Sequence, residues 1–304
     1  MPAATEAEAM EVADFEKHRE LMFGVAYRVL GSVADAEDVV QESWLRWSRV
    51  DHDWVVDPQS FLVQVVTRLS LDRLRRAKAR REAYVGPWLP EPLPTGLELE
   101  EGAELADSVS MAMMVVLETL SPLERVVFVL REAFQFSFAE IAGILGRSET
   151  AVRQLARRAR SHVRDRRLRF HQDRRVCRQV TERFLAACLG ADLDGLLNLL
   201  APDVTVWVDG NGRRGAAKTP VQGAAKVSRL LVHGLRRVLG PQAAGLGGGT
   251  IAEVNGGPAA LIVAEGKLLA VLVVDVDRVS DRVSKVWIIA NEDKLGSVEE
   301  GGRA

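Results

Sequence analysis

One stretch of this sequence is the most informative: residues 137–160 read SFAEIAGILGRSETAVRQLARRAR. Apolar residues recur there at helical spacing, and Gly146 interrupts the pattern where a left-handed backbone suits glycine. Ser148 is a typical N-cap for a second helix. The pattern predicts a helix-turn-helix. Its inner faces would carry Ile141, Ala142 and Leu145 in the first helix, and Val152 and Leu155 in the second.

The outward face of the second helix is polar and strongly basic. In a major groove, arginine and glutamine can hydrogen-bond base edges, while further arginines hold phosphates. An ordinary helical hairpin with a solvated charged face would show a similar periodicity, but the density of arginines favours DNA binding. The candidate DNA-binding residues are Ser148, Glu149, Thr150, Arg153, Gln154, Arg157 and Arg158.

The charges are segregated along the chain, although the formal net charge of its 304 residues is only −2. Basic residues cluster in residues 73–81 and again in residues 153–169, whereas residues 91–118 carry only acidic charges. A chain of this kind can bind nucleic acid locally and be repelled elsewhere. The length is sufficient for two or three domains.

The periodicity divides the chain into helical and strand-rich parts. Residues 15–81 are predicted to be helical, with a break at Gly31, an N-cap at Ser32 and a new helix near Pro58. Four prolines within residues 87–94 predict a linker, and a second helical block follows. After about residue 172 the sequence predicts an α+β domain, with helices first and then a curved antiparallel sheet. The expected strands are residues 204–208, 250–254, 259–264, 268–276 and 283–289.

Several classes of protein do not fit this composition. No apolar run approaches the roughly 18 residues of a membrane span, and the acidic start is unlike a signal peptide. The two cysteines, Cys177 and Cys188, suit a reducing cytoplasm; they could sense oxidation, but such cysteines usually serve packing. The five histidines are scattered, so we expect no metal site, no cofactor, no membrane partner and a cytoplasmic location.

Three pieces of the N-terminal half resemble the sigma factors of the extracytoplasmic-function (ECF) type. Residues 34–47, ADAEDVVQESWLRW, resemble conserved region 2.2, and residues 58–76 resemble regions 2.3 and 2.4. Residues 120–125, LSPLER, are similar to the start of region 4.1, and the helix-turn-helix matches region 4.2. The resemblance covers residues 14–169 in the family's order, which makes it specific.

This resemblance implies a transcription initiation factor that is not an enzyme and has no catalytic residue. It would bind RNA polymerase core, at the β′ clamp helices and the β flap, and direct it to promoter −10 and −35 elements. The helix-turn-helix would read the −35 element. The implied core-binding residues are Asp35, Glu37, Asp38, Gln41, Trp44 and Leu45. The implied −10 residues are Trp54, Gln59, Arg73, Arg75, Arg76 and Arg80, with Trp54 as a plain core residue the open alternative.

The C-terminal part resembles a SnoaL-like domain, the cone-shaped α+β fold of nuclear transport factor 2. Three motifs point to the ECF subgroup that carries this fusion: PWLPEP at residues 87–92, DGNGR at 209–213 and NEDKL at 291–295. Asn211 and Glu292 depart from the subgroup's usual residues. The resemblance implies regulation in cis, without a separate anti-sigma factor. The implied regulatory contacts between domains are Trp88, Asp209, Arg213, Asp293 and Lys294.

Other interpretations of the C-terminal part stay open on the sequence. Residues 209–212 could form a plain hairpin turn, and Asp293-Lys294 a solvated tail. The domain could instead be an isomerase or ligand sensor, although His233 is its only histidine and Asp203, Trp207 and Asp209 are its only pocket candidates. A helix-turn-helix repressor with a sensor domain is a further alternative, but it leaves the region 2 resemblance unexplained.

The resemblance also gives domain bounds and a physiological role. Regulation of transcription in a stress response is the role implied by the family. The expected segments are region 2 in residues 1–85, an acidic Pro-rich linker in 86–108, region 4 in 109–171 and the SnoaL-like domain in 172–304.

Overall fold

The computed structural model describes residues 2–95, 110–166, 173–213, 216–239 and 247–301. Its contacts divide the chain into two compact units. The first unit comprises Met1–Arg80 and Val116–Arg166, and the second comprises Arg81–Val115 and Arg167–Ala304. The described part of the proline-rich linker therefore belongs to the unit that contains the C-terminal domain. Every helix in the described ranges is too short or too polar to span a membrane.

The first unit begins with three helices: α1 (Pro2–Leu30), α2 (Val33–Trp47) and α3 (Pro58–Glu82). Gly31 ends α1 with a φ of 70°, a left-handed conformation that glycine adopts without strain. Ser32 caps α2, because its hydroxyl accepts a hydrogen bond from Asp35 N at 3.2 Å. The break, the cap and the helix starting at Pro58 are as predicted.

The next helix, α4 (Met111–Leu117), crosses the boundary between the two units. The second half of the first unit then contains the α-helices α5 (Pro122–Phe128), α6 (Phe138–Leu145) and α7 (Glu149–Arg166). Capping boxes at Ser121 and Ser137 start α5 and α6. Gly146 ends α6 at φ 61° and ψ 42°, and Ser148 accepts a hydrogen bond from Ala151 N at 3.3 Å. The predicted helix-turn-helix is confirmed in both its turn and its cap.

The inner faces of this helix pair differ in detail from the prediction. Leu145 and Leu155 are only half-buried, whereas Ile144 and Ala156 are buried. At about 100° per residue, the buried face of α7 is centred on Val152 and two further positions along the helix, 159 and 163. Leu155 lies about 60° from that line, so it reaches only the rim of the contact.

The second unit contains an α+β domain, as predicted. Its elements in chain order are α8 (Arg174–Leu189), α9 (Leu193–Leu199), β1 (Leu200–Asp209), β2 (Val221–Gln222), α10 (Ala224–Leu239), β3 (Gly247–Val254), β4 (Gly257–Ala264), β5 (Lys267–Val276), β6 (Val283–Ile289) and α11 (Gly296–Gly301). The five predicted strands are present, and the short strand β2 escaped prediction because two residues carry no periodicity.

The sheet is mixed, so the prediction of an antiparallel sheet was wrong for one pair of strands. The strand order is β2-β1-β6-β5-β4-β3, and β1 runs parallel to β6, with Trp207 beside Trp287. The other pairs are antiparallel. A parallel pair requires a long crossover, and the chain from α10 through the β3–β5 meander provides it.

The two faces of the sheet are covered by different parts of the second unit. Helices α8, α9 and α10 cover one face, where aliphatic side chains and Phe184 fill the interior of the domain. The other face is covered by Leu89 of the linker, Met111 and Ala112 of α4, and the segment around α11. Trp207 stacks on Trp287 on this second face, with ring centroids 6.2 Å apart.

Candidate polymerase, promoter and linker-binding sites

A groove of about 400 Å³ lies between α1 and α2 in the first unit. Its floor is aromatic, because the Phe15 ring packs edge-on against Trp44 at 5.0 Å. Leu45 is 53% exposed at the rim, and Gln41 is also exposed. An apolar groove beside acidic side chains is suited to a basic helical partner. The groove is lined by Val12, Phe15, Glu16, Arg19, Val40, Gln41, Trp44 and Leu45.

The acidic residues of α2 form ion pairs within the first unit. Arg73 of α3 donates to the Asp35 carbonyl at 3.0 Å and lies 3.4 Å from the Asp38 carboxylate. Arg19 of α1 pairs with Glu37 at 2.7 Å. Arg73 is therefore half-buried between α2 and α3. This position fits a role in orienting α2 better than a role in binding a promoter phosphate.

The loop before α3 presents unusually exposed apolar side chains. Trp54 is 81% exposed and Val56 is 100% exposed, so Trp54 is not a core residue. Asp57 accepts a hydrogen bond from Gln59 N at 3.1 Å, and the hydrogen bond from Ser60 lowers the pKa of this carboxyl group. An exposed indole on a fixed loop is a suitable platform for stacking an unpaired base.

The remaining predicted −10 residues all lie on α3. Gln59, Arg75 and Arg76 are exposed, and Arg75 pairs with Asp72 at 3.3 Å. Arg80 falls within α3, but its side chain lies outside the described part of the chain. Four of the predicted −10 residues are thus accessible to DNA: Trp54, Gln59, Arg75 and Arg76. Arg73 instead contacts α2.

The seven predicted −35 residues are all exposed on α7 or at its cap. Arg153 donates to Glu149 one turn earlier, with an Nε to Oε1 distance of 3.1 Å, and its guanidinium lies 4.6 Å from the Phe138 ring centroid. Within the described ranges, Arg157 and Arg158 form no ion pair. The helix therefore offers an accessible polar and basic face, with Arg153 held in place by two neighbours.

The two halves of the first unit are joined by hydrogen bonds from a buried arginine and from two polar side chains of α3. Arg125, which is 1% exposed, donates through Nε to the Arg28 carbonyl at 2.9 Å and also pairs with Glu118. Gln64 and Arg68 of α3 donate to the carbonyls of Gly143 and Ile144 at the end of α6. Sequence reasoning missed these contacts, because they join residues about 75 to 100 positions apart.

A buried polar cluster in the second unit holds the linker, and Asp209 is its centre. Asp209 is fully buried, and its carboxylate accepts hydrogen bonds from Lys294 Nζ at 2.7 Å and Leu89 N at 2.8 Å. The Tyr84 hydroxyl donates to the other carboxylate oxygen and accepts from Asn291 at 3.2 Å. We call Asp209, Lys294, Asn291, Tyr84 and Leu89 the linker lock.

Trp88 of the linker lies between two cations beside this cluster. The Arg81 guanidinium carbon is 3.5 Å from the centroid of the indole, and Lys294 Nζ is 3.8 Å from it. Cation–π contacts of this kind are stronger when the cation is shielded from water. The Lys294 ammonium also donates to the Leu89 carbonyl, so one buried cation contacts three groups of the lock and linker.

Farther along, the linker extends the edge of the sheet. Thr95 N donates to Glu253 O at 3.0 Å, and Asn255 N donates to Leu93 O at 2.8 Å. The Asn255 side chain accepts from Leu93 N at 3.1 Å, and Ser297 donates to Pro92 O at 3.0 Å. The linker is therefore bound along its described length by strand-like and side-chain hydrogen bonds.

Arg213 and Asp293 do not take part in the linker lock. Arg213 pairs with Glu292, and Asp293 accepts weakly from Asn211 at 3.4 Å. Both residues are exposed, and they brace the turn after β1 against the segment after β6. The turn itself has positive φ values at Asn211 and Gly212, but β2 begins only at residue 221. Residues 209–212 are therefore not a tight hairpin, and the buried Lys294 is not part of a solvated tail.

The interior of the C-terminal domain offers little support for catalysis. Trp207 and Asp209 lie on the face that contacts the linker, and His233 is exposed on α10, where Nδ1 lies 2.7 Å from the Arg229 carbonyl. Asp203 lines an open cleft of about 530 Å³ at the other end of the sheet. No acid–base pair is assembled from these candidates within the described residues.

Neither cysteine has the surroundings of a reactive thiol. Burial raises the pKa of Cys177 to about 11 and that of Cys188 to about 12. A thiol with a raised pKa is largely protonated at neutral pH and is a poor nucleophile. Both residues fit the packing role better than an oxidation sensor.

Comparison with known proteins decides the family. Residues 15–80 match the model for Sigma-70 region 2, and residues 110–163 match that for Sigma-70, region 4. The chain is 43% identical over 296 residues to the ECF RNA polymerase sigma factor SigJ of Mycobacterium tuberculosis (strain ATCC 25618 / H37Rv), covering 94% of this chain and 93% of SigJ. This chain belongs to the ECF RNA polymerase sigma factors.

Two further similarities agree with this assignment. The sigma factor is 34% identical over 224 residues to the probable ECF RNA polymerase sigma factor SigI of M. tuberculosis (strain CDC 1551 / Oshkosh), covering 73% of this chain and 76% of SigI. The crystal structure of M. tuberculosis SigJ superposes with a TM-score of 0.73 at 40% identity, covering 94% of this chain and 98% of that chain.

Family membership settles the class of function. The sigma factor directs promoter-specific transcription initiation, and the alternative of a one-component repressor is excluded because region 2 is present beside region 4. Sigma factors are not enzymes. The predicted fold class, two helical sigma domains followed by an α+β domain, is confirmed over almost the whole chain.

Proposed function

We propose that the C-terminal domain regulates this sigma factor in cis by binding the linker between regions 2 and 4. The observation that carries the proposal is the linker lock, in which the fully buried Asp209 binds Lys294, Tyr84 and Leu89 N. Burying an ion pair costs desolvation free energy, so such a pair contributes more to the specificity of an arrangement than to its stability. The proposed role of the lock is to select one linker conformation.

A second part of the proposal concerns the resting state of the sigma regions. Gln64 and Arg68 of region 2 donate to the end of α6 in region 4, and Arg125 of region 4 donates to the Arg28 carbonyl in region 2. The −10 and −35 elements are about 25 base pairs apart, or roughly 85 Å at about 3.4 Å per base pair. Regions 2 and 4 must therefore separate before both elements are bound, and a restrained linker opposes that separation.

The polymerase and promoter contacts follow from the exposed surfaces of the first unit. We propose that the groove beside α2, with Gln41 and Leu45 at its rim, binds the β′ clamp helices together with the exposed Asp38 of the same helix, while region 4 binds the β flap. Trp54 would stack an unpaired −10 base, and α7 would enter the major groove at −35. Since regulation is in cis, no separate anti-sigma factor is required, and the protein would act in the cytoplasm, where it meets the polymerase.

A run-off transcription assay tests the proposal directly. Purified core polymerase and a promoter library would be combined with the full-length chain, with a chain ending after about residue 169, or with the full-length Asp209→Asn variant. We expect the truncation and Asp209→Asn to change transcription in the same direction, because each releases the linker. A full-length Asp293→Asn variant is the matched control, since Asp293 is exposed and outside the lock.

The assay separates the parts of the proposal. Transcription that is equal for the full-length chain, the truncation and Asp209→Asn would show that the C-terminal domain does not regulate in cis. A change on truncation that Asp209→Asn does not reproduce would contradict the role of the lock while leaving cis regulation in place.

A further inference from the structure

Helix α10 of the C-terminal domain carries an unbroken basic face. Its exposed charged side chains are all basic, and the helix contains no aspartate or glutamate. At about 100° per residue they fall within an arc of roughly 100°, and they extend over about 16 Å of helix axis. We call these residues the α10 stripe: Lys226, Arg229, His233, Arg236 and Arg237.

Among the residues that the structure describes, the cations of the α10 stripe have no ion-pair partner. Over the described ranges, no carboxylate lies within ion-pair distance of Lys226, Arg229, Arg236 or Arg237. The described hydrogen bond of the Arg229 side chain goes to a carbonyl of its own helix, Ala225 O at 2.8 Å. The arginines of α8, in contrast, include two that pair with Glu253: Arg174 at 3.0 Å and Arg178 at 3.5 Å.

The opposite face of α10 is fully used by the fold. Val227, Leu231 and Val232 are buried in the aliphatic interior of the domain, and Leu235 packs against it. A basic amphipathic helix that binds a membrane inserts its apolar face, and here that face is unavailable without unfolding the domain. The ligand of the stripe must therefore be recognised by charge alone, from outside.

We propose that the α10 stripe binds the phosphate backbone of DNA, so that the C-terminal domain adds a third, sequence-independent DNA contact to this sigma factor. The stripe spans the axial length of about five nucleotides of one strand, at about 3.4 Å per nucleotide. Arginine and lysine side chains along one helix face are suited to successive phosphates. Regions 2 and 4 bring DNA to this molecule, and the stripe increases the affinity of the whole chain for it.

The test is the salt dependence of DNA binding by the full-length chain. A variant with Lys226→Gln, Arg229→Gln, Arg236→Gln and Arg237→Gln would be titrated onto a fluorescein-labelled duplex of arbitrary sequence, between about 50 and 200 mM salt. Each lost phosphate contact lowers the slope of log K against log salt by about 0.9, so we expect a decrease of roughly 2 to 4. Affinity at the lowest salt should fall about tenfold or more.

A matched variant separates a local contact from the change in net charge. Four exposed cations of the same unit outside α10 are replaced in this control: Arg175→Gln, Arg183→Gln, Lys218→Gln and Arg278→Gln. It should keep nearly the original slope. A second variant that exchanges lysine and arginine within the stripe keeps the charge and should retain binding. Glutamine forms helices about as well as lysine and arginine, so α10 should persist in every variant.

Three outcomes would overturn the proposal. The slope of the stripe variant could equal that of the control, or the exchange variant could lose binding as well. The stripe substitutions could also abolish binding to anionic phosphatidylserine vesicles while leaving DNA binding unchanged, which would make a lipid surface the partner. Binding of each variant to core polymerase, measured separately, keeps this result independent of the proposed cis regulation.

Discussion

A fully buried carboxylate is tolerated only when its oxygens have partners, and Asp209 meets that condition with residues from three parts of the chain. Lys294 and Leu89 N bind one oxygen, and Tyr84 binds the other. Burial, together with the hydrogen bond to Asp209, raises the pKa of Tyr84 above its usual range. The phenol therefore stays protonated and continues to donate.

Replacing Asp209 by asparagine should release the linker. The substitution leaves the Lys294 ammonium buried without its counter-charge, which typically costs about 3–5 kcal/mol of unfolding free energy. We expect faster hydrogen exchange at residues 84–93 and a lower urea midpoint of the second unit. The double variant Asp209→Leu, Lys294→Met should lose less unfolding free energy than Asp209→Asn, because it leaves no buried charge unpaired. Unchanged exchange at Leu89 in Asp209→Asn would contradict this account.

The raised pKa of Tyr84 predicts how stability depends on alkaline pH. A group with a raised folded-state pKa contributes stability that is fully present below its unfolded pKa, about 10 for tyrosine, and is lost as the pH rises toward the folded value. The free energy of unfolding of the parent chain, measured with urea, should therefore decrease above about pH 10. The unfolding free energy of Tyr84→Phe should decrease less over the same pH interval. Identical pH profiles of stability for the two chains would argue against the lock geometry.

At the scale of secondary-structure elements, α2 has one face for the core and one for a partner. Its buried face carries Ala36, Val39 and Trp47, and the Trp47 indole donates to the Glu11 carbonyl at 2.9 Å, which joins α2 to α1. Asp38 and Leu45 point away from this core and are exposed. A partner can therefore reach both side chains without opening the bundle, and the unfolding free energy of each variant separates loss of binding from loss of the Asp38–Arg73 ion pair.

Alanine at both Asp38 and Leu45 should weaken binding to RNA polymerase core by about tenfold or more, a loss of roughly 1.4 kcal/mol or more. Equilibrium binding of labelled sigma factor to purified core would measure it. Glu20→Ala, an exposed acidic residue of α1, is the control and should bind normally. If the control loses as much affinity as the double variant, net charge rather than this surface governs the interaction.

At the scale of the whole molecule, the proposed regulation rests on two sets of contacts. Regions 2 and 4 contact each other through Arg68 and Arg125. Separately, the linker between them is bound to the C-terminal domain by the linker lock. With either set alone, regions 2 and 4 would separate more easily. The two sets together are therefore suited to a reversible switch.

Fluorescent labels at Glu20 in region 2 and Arg164 in region 4, both exposed, should report this opening. We expect energy transfer to be high in the free chain and to fall when core polymerase and promoter DNA are added, because the two DNA elements are roughly 85 Å apart at about 3.4 Å per base pair. Energy transfer between labels at Glu20 and Arg49, both within region 2, should not change. Low transfer in the free chain would disprove the closed resting state, and high transfer in the promoter complex would disprove the opening.

Features that depend on neighbours along the chain could be predicted from the amino-acid sequence. Caps at Ser32 and Ser148, the left-handed Gly146 and the helix-turn-helix rest on hydrogen bonds that span only a few residues, so composition and spacing reveal them. The order of the sigma regions was readable for the same reason, since each region is a local pattern.

Contacts between distant residues, in contrast, depend on how the folded elements pack. Asp209 and Lys294 are 85 positions apart, and Arg125 and Arg28 are 97 apart. A period of two predicts a strand but not its neighbour or direction, which is why the parallel pairing of β1 and β6 was missed. Likewise, whether Arg73 faces DNA or α2 depends on how helices pack, because its spacing in the sequence is the same in either case.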